Sequence, residues 1–317
     1  MSHITNDERL TRRIQAAKRM DKFMTGVFTG VGGFFLILIV AMALYIIISG
    51  ITSYYPGALS FTREGIGNQI FNTIYMVFIA LVVSVVIGVP AGIYMAEYAP
   101  ENKLTAFIRV SIESLSSLPS IVVGLFGYLV FVLMTGMNPN LFAGALAVSI
   151  LNLPLVTTET EAAIRSVPRP LSYGSAALGA THWHTITHVL LPASLPHIAT
   201  GVLLAAQRGF GEAAALLYTA GQGTVIRWNN WDITSITSPL NPFRSGETLA
   251  LHVWMQRTEG ALHDNSVQVA NISAATLVII ALAFSLIVNV VTKKIHDRQA
   301  GLAKVKKQNS PSRGKVQ

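Results

Sequence analysis

No Asp, Glu, Lys or Arg occurs between Glu64 and Glu97, between Glu113 and Glu159, or between Asp264 and Lys293. A helix needs only about 20 apolar residues to cross the hydrocarbon of a bilayer, so each gap is long enough to span one. Composition agrees: 51% of the 317 residues are hydrophobic and 12% are charged, about half the charged share of a soluble domain. The pattern predicts an all-α, polytopic membrane protein.

Six transmembrane helices account for the apolar sequence, at roughly 24–49, 67–95, 117–136, 140–158, 195–219 and 268–292. The charge-free region after Glu113 holds two of them, because "GMNPN" (Gly136 to Asn140) supplies turn residues that break a continuous helix. The first run contains Ala41-Met-Ala43, which has signal-cleavage spacing. It lies inside a run longer than a signal's apolar core, so an uncleaved first helix is expected.

Basic residues set the orientation. An even number of spans puts both termini on one side, and the segments on that side hold 18 of the 23 Lys and Arg: six at the N-terminus, two in 96–116, two in 159–194 and eight at the C-terminus. The opposite loops hold Arg63, Arg227, Arg244 and Arg257, and Arg208 lies within the fifth span. Basic flanks mark the cytoplasmic side, so both termini are expected in the cytoplasm. The chain divides into a basic segment 1–22, a transmembrane domain 23–293 and a basic tail 294–317, with long loops at 159–194 inside and 220–267 outside. The tail, ending "AKVKKQNSPSRGKVQ", is expected to be disordered beside anionic membrane lipid. It lacks the interleaved aromatics that nucleic-acid binding would favour, so no nucleic acid is expected as a partner. Outside, "VIRWNNWDITSITSPLNPF" predicts an ordered interfacial segment. Trp228, Trp231 and Trp254 fit membrane anchors or ligand contacts.

Catalytic signatures are missing from the sequence. It has no Cys, no G-x-x-x-x-G-K-[ST], no H-E-x-x-H and no glycine-rich dinucleotide fingerprint. The chain cannot bind ATP through a P-loop, and none of the common catalytic signatures is present.

From Leu171 the inner loop reads "LSYGSAALGATHWHTITHVLLP". It resembles the EAA loop of ABC importer permeases, whose pattern is E-A-A, three residues, Gly, nine residues, Ile, one residue, Leu-Pro. Gly179, Val189, Leu191 and Pro192 fall on the later positions, while Tyr173, Gly174 and Ser175 occupy the E-A-A. Glu161-Ala-Ala163 reads like the motif but begins twelve residues too early. "SLPSIVVGLFG" (118–127 with its preceding Ser), "EAAIRSVP" (161–168) and "ETLALHVW" (247–254) are similar to PstA-type permease subunits of phosphate ABC importers. The resemblance extends over most of residues 65–292.

That resemblance implies a transport subunit and not an enzyme, with no cofactor of its own and a MetI-like fold in a bacterial or archaeal plasma membrane. It also implies a second, related permease, two ATP-binding subunits that carry the ATP and Mg, and an external phosphate-binding protein as partners. In such an assembly a short amphipathic helix with small residues seats in a groove of the ATPase and moves the spans as a body. Gly179 would be the hinge or close-contact position, and Pro192 the break before the fifth span. The bland alternative is a membrane-surface helix.

Three other groups stand out. His184 and His188, four apart on one helical face, fit zinc ligands, a partner-facing polar surface or a pH-sensitive contact, with His182 pointing elsewhere. Arg208 and Glu212 also share a helical face. If the span covers about 198–218, Arg208 lies near the midplane, where an Arg must face a polar interior or a partner. Its fork of donors suits phosphate, with Glu212 as a resting counter-ion; the alternative is a structural pair. Last, Ser116, Ser117 and Ser120 surround Pro119 and fit either an exit-side anion contact or N-capping of the third span. The rival functions are import of another oxyanion or small solute, a self-contained secondary transporter or channel, and a structural scaffold.

Overall fold

In hydrocarbon no water pairs with the backbone, so an apolar run closes its own hydrogen bonds as a helix. The computed structural model describes residues 2–62, 64–224, 226–258 and 265–308, and no strand occurs among them. Arg63, placed by the sequence in an outer loop, lies outside the described residues, as does 309–317 of the predicted disordered tail. The rest of that tail is helical.

Helix α1 runs Ser2–Thr52, α2 Gly67–Glu97, α3 Lys103–Ser116 and α4 Ser120–Gly127, the last continuing as a π-helical turn, Tyr128–Leu133. Then come α5 (Leu141–Arg165), α6 (Arg169–Ala177), α7 (His182–Thr185) with a π turn Ile186–Leu190, α8 (Leu191–Gly211), α9 (Leu216–Thr219), α10 (Leu249–Thr258) and α11 (Ser266–Gln308). Among the described residues five stretches are long and apolar enough to cross a membrane. The sixth, predicted at 117–136, is the bent pair α3 and α4, whose two halves meet at 98°. Only Ser120–Leu133 is available to cross there, so this span is short. The predicted turn after it is present: Gly136 takes φ +68°, and the Asn140 side chain accepts the Ala143 N–H at 2.9 Å, capping α5.

The outer ends of α1 and α11, Glu97, α3, α6 and α7 lie on one side of the helix layer, called here the terminal face. The α5 N-terminus, residues 226–258 and the start of α11 lie on the far face. The core forms where α2, α5 and α8 meet, around Met76, Val148, Ala206, Phe210, Leu216 and Leu251. Parallel helices α2 and α5 approach closely because a Cβ on Gly92 would sit 2.7 Å from the Thr157 carbonyl oxygen. Helices α1 and α11 are peripheral and touch near their far-face ends, where Gly50 lies against Ala275. At ~1.5 Å per residue both exceed the thickness of a bilayer.

Candidate functional site

The predicted continuous fifth span, 195–219, is broken in the structure. Helix α8 ends at Gly211, Glu212 turns to extended geometry at ψ 121°, and α9 resumes at Leu216. The depth of this break follows from its neighbours. The Arg208 Nη1 donates to the Leu151 carbonyl at 3.2 Å, and Leu151 lies ten residues into α5, ~15 Å from its start. At the other end of the break, the Asn140 N–H donates to the Thr219 carbonyl, level with the start of α5. Arg208 therefore sits near mid-depth, as the sequence led one to expect, but in the last turn of a helix that stops there. The α8 carbonyl end favours its positive charge.

The expected resting ion pair between Arg208 and Glu212 is not formed. The Glu212 Oε1 accepts the Ala215 N–H at 3.1 Å, which holds the start of α9. The interruption at Gly211–Glu212 removes the four-residue helical register that would have brought the two side chains together. Both residues are half-buried. Non-helical backbone at this depth persists only against protein or a polar cavity. Part of that protein is α4: Val123, Leu151 and Ala215 form one buried cluster, and a Cβ on Gly124 would meet the Ala215 backbone at 2.7 Å. The stretch "SLPSIVVGLFG" singled out above thus touches the fifth span at its break.

The serines lie at the terminal-face end of α4, and they do not cap it. Pro119 occupies the N-cap position with no side-chain cap, and Ser117 Oγ donates backward to the Ser114 carbonyl at 2.8 Å. Ser116 ends α3 and Ser120 begins α4. Ser117 bonds back into α3 and no side chain caps α4, so the N-capping reading does not hold.

Loop 166–190 is two helices around a turn. At its centre Gly179 takes φ +80°, the Ala180 N–H reaches the Ser175 carbonyl, and the Gly179 N–H reaches the Ala176 carbonyl. No atom lies within 4 Å of where a Gly179 Cβ would stand. Within this chain Gly179 is therefore a turn residue and not a close-contact one. Thr181 then accepts the His184 N–H to start α7. Pro192 does not break the helix: His182–Gly211 runs on as one span. Pro192 has no N–H to give, and the preceding π turn, where the Leu191 N–H reaches back to Ile186, absorbs the irregularity. Val189 and Leu191 are half-buried beside it, while Tyr173 and Gly174 face outward.

The His184 and His188 rings stack 4.0 Å apart. Among the described residues no group of three or more His, Asp or Glu is arranged to hold a metal. The displaced Glu161-Ala-Ala163 is a structural node. Glu161, buried, pairs with Arg109 of α3 and with Arg165 at 2.9 Å, and Arg165 donates to the Met95 carbonyl of α2 at 3.0 Å.

A cluster missed by the sequence lies on the far face. Arg244 is 2% exposed, its guanidinium donating to Asn72 Oδ1 at 2.6 Å and to the Pro239 carbonyl. Burial lowers its pKa to about 10, which leaves it charged at neutral pH. Glu247 of "ETLALHVW" lies 2.9 Å from His252 Nδ1 and accepts from Gln69 at 3.5 Å. Asn72 in turn donates to the Glu247 carbonyl. The order expected of "VIRWNNWDITSITSPLNPF" is present over the described residues 226–243: the Arg227 N–H pairs with the Thr237 carbonyl, and Trp228 Nε1 donates to Asn68 Oδ1 at 2.9 Å. A signal was available in the sequence: Asn68, Gln69 and Asn72 recur on one face of an otherwise apolar helix.

Comparison with known proteins follows the same lines. The profile of the family described as "binding-protein-dependent transport system inner membrane component" matches residues 88–300. A probable ABC transporter permease protein, YqgI of Bacillus subtilis, is 46% identical over 281 residues, covering 85% of this chain and 94% of that protein. The phosphate transport system permease protein PstA of Xylella fastidiosa is 38% identical over 158 residues, half of this chain and 55% of that protein. Among solved structures, an inward-facing MetNI methionine ABC transporter matches with a TM-score of 0.56 at 17% identity, over 73% of this chain and 95% of that one.

Proposed function

The chain belongs to the family of binding-protein-dependent transport system inner membrane components, and from that premise we propose that it is one permease subunit of an ATP-driven phosphate importer. Its relatives are ABC permeases and not enzymes. The fold is MetI-like. In the proposed assembly a second permease completes the pathway, two ATPase subunits engage loop 166–190 on a cytoplasmic terminal face, and a phosphate-binding protein delivers substrate to the far face. Two supports favour phosphate: the PstA relatives, and an arginine half-exposed at mid-depth.

One observation carries the reading: the fifth span stops beside Arg208 and leaves its guanidinium with a single carbonyl partner among the described residues. A guanidinium keeps its charge at any physiological pH and offers more donors than one carbonyl uses. A passing phosphate would take the remaining donors as charge-assisted hydrogen bonds. Glu212 would contribute differently from a counter-ion, by holding the break open through its bond to Ala215. Ser116, Ser117 and Ser120 are assigned to the exit side of the same pathway.

The test is ATP-dependent uptake of radiolabelled phosphate into vesicles that hold the whole transporter. Arg208→Ala is expected to abolish uptake while the variant still inserts and still binds its partners. Normal uptake would remove Arg208 from the pathway, and inhibition by sulfate or molybdate in place of phosphate would favour another oxyanion as substrate.

A further inference from the structure

Helix α3 has two unlike sides. Leu104, Phe107, Val110 and Leu115 stand on one of them, all exposed, with Leu104 at 65% and Phe107 at 68%. On the other side Thr105 is buried, and Arg109, about 200° around the helix from Phe107, pairs with the buried Glu161 of α5. Glu113 lies on the Arg109 side. Two hydroxyls fall among the apolar residues, and both are satisfied within the helix: Ser111 Oγ donates to the Phe107 carbonyl at 2.9 Å and Ser114 Oγ to the Val110 carbonyl at 2.7 Å. Lys103 begins the helix at the edge of the apolar side.

Direction and depth place that side in the membrane. Helix α4 leads from the terminal face toward the turn before α5, and α3 meets it at 98°, so α3 runs along the helix layer and not across it. Glu161, which fixes Arg109, lies twenty residues from the start of α5, or ~30 Å. That is about the thickness of bilayer hydrocarbon. The apolar side of α3, turned away from α5, is therefore level with the boundary between acyl chains and headgroups.

We infer that α3 is an interfacial helix that lies in the terminal-face leaflet, with Leu104, Phe107 and Leu115 set among acyl chains. Its apolar side and its position at the hydrocarbon boundary are those of a helix lying in the membrane plane. Lys103 can lay its stem along that side and place its ammonium among the headgroup phosphates. Lipid suits this side better than a protein partner does, because a protein interface carries about one hydrogen bond per 100–200 Å² and the hydroxyls here are already spent within the helix. The polar side has its own task. Through Arg109 it holds Glu161, which also binds Arg165, and Arg165 reaches the Met95 carbonyl of α2. The ends of α2 and α5 are thereby fixed to a helix that is itself seated in the leaflet.

The chain has no Cys, so a nitroxide label can be placed at one chosen position. The whole transporter, assembled with cysteine-free partners, is reconstituted in vesicles of phosphatidylethanolamine and phosphatidylglycerol. At Leu104→Cys and at Phe107→Cys, oxygen dissolved in the acyl chains is expected to relax the label about fivefold more than a water-soluble nickel chelate does. At Glu113→Cys the order is expected to reverse. Greater relaxation by nickel at 104 and 107 puts the apolar side in water and overturns the inference. A label there that neither reagent reaches lies against protein, which overturns it equally. The inference requires that 104 and 107 agree with each other and differ from 113.

Discussion

Arg208 and Arg244 both point into the body of a membrane protein, and they are held in opposite ways. Arg244 is closed in by Asn72, the Pro239 carbonyl and the face of Phe71, whose ring centroid lies 5.9 Å from the guanidinium carbon. Arg208 has one carbonyl and a half-open side. A buried charge is tolerated only when it is paired or well bonded, so Arg244 works as a fastener for the far-face loop. An incompletely bonded guanidinium at mid-depth keeps capacity to bind something else. Burial alone does not separate the two roles; the number of donors already in use does.

Substitutions can break this comparison, and the largest effect is expected at Arg208. In Arg208→Ala, phosphate uptake should fall at least ~100-fold, the scale of losing a charge-assisted contact. Thermal stability of the purified chain should stay within about 0.5 kcal/mol. Arg244→Ala should show the reverse emphasis. Asn72 and Pro239 would lose their donor, and the folded chain should lose about 3 kcal/mol, read as a lower melting temperature. If Arg244→Ala were stable but transport-dead, the two arginines would have to exchange roles.

Smaller changes sharpen the contrast. Gly124→Ala pushes a methyl group into the Ala215 backbone, so a loss of about 1–3 kcal/mol is expected, together with slowed uptake because the break shifts. Arg208→Lys keeps the charge without the planar fork, and uptake about tenfold below the parent is expected, measured as initial rate against phosphate concentration. Trp228→Phe removes one hydrogen bond to Asn68 and should cost about 1 kcal/mol with no change in uptake.

What was legible before the structure divides along the same line. The spans and the turn at "GMNPN" follow from runs of residues that are local in sequence, whereas the inner loop, expected as one short helix, holds two. The break in the fifth span was not legible, because "GFGEAAALL" has ordinary helical composition and Glu212 reads as a helical partner of Arg208. The far-face helix α10 was likewise absorbed into a loop. Pro192 misled in the other direction, since a π turn can accommodate a proline that spacing alone marks as a stop.

The sequence by itself determined that this chain crosses a membrane as helices, and it pointed to the loop and the arginine on which the proposed function rests. Hydrocarbon leaves apolar runs no other way to satisfy their backbone. Only the tertiary structure decided what each arginine does. Gly124 of α4 lies against the backbone at Ala215, Leu151 of α5 meets Arg208, and Asn72 of α2 meets Arg244. The free or engaged state of a donor depends on such neighbours, which are far apart in the chain.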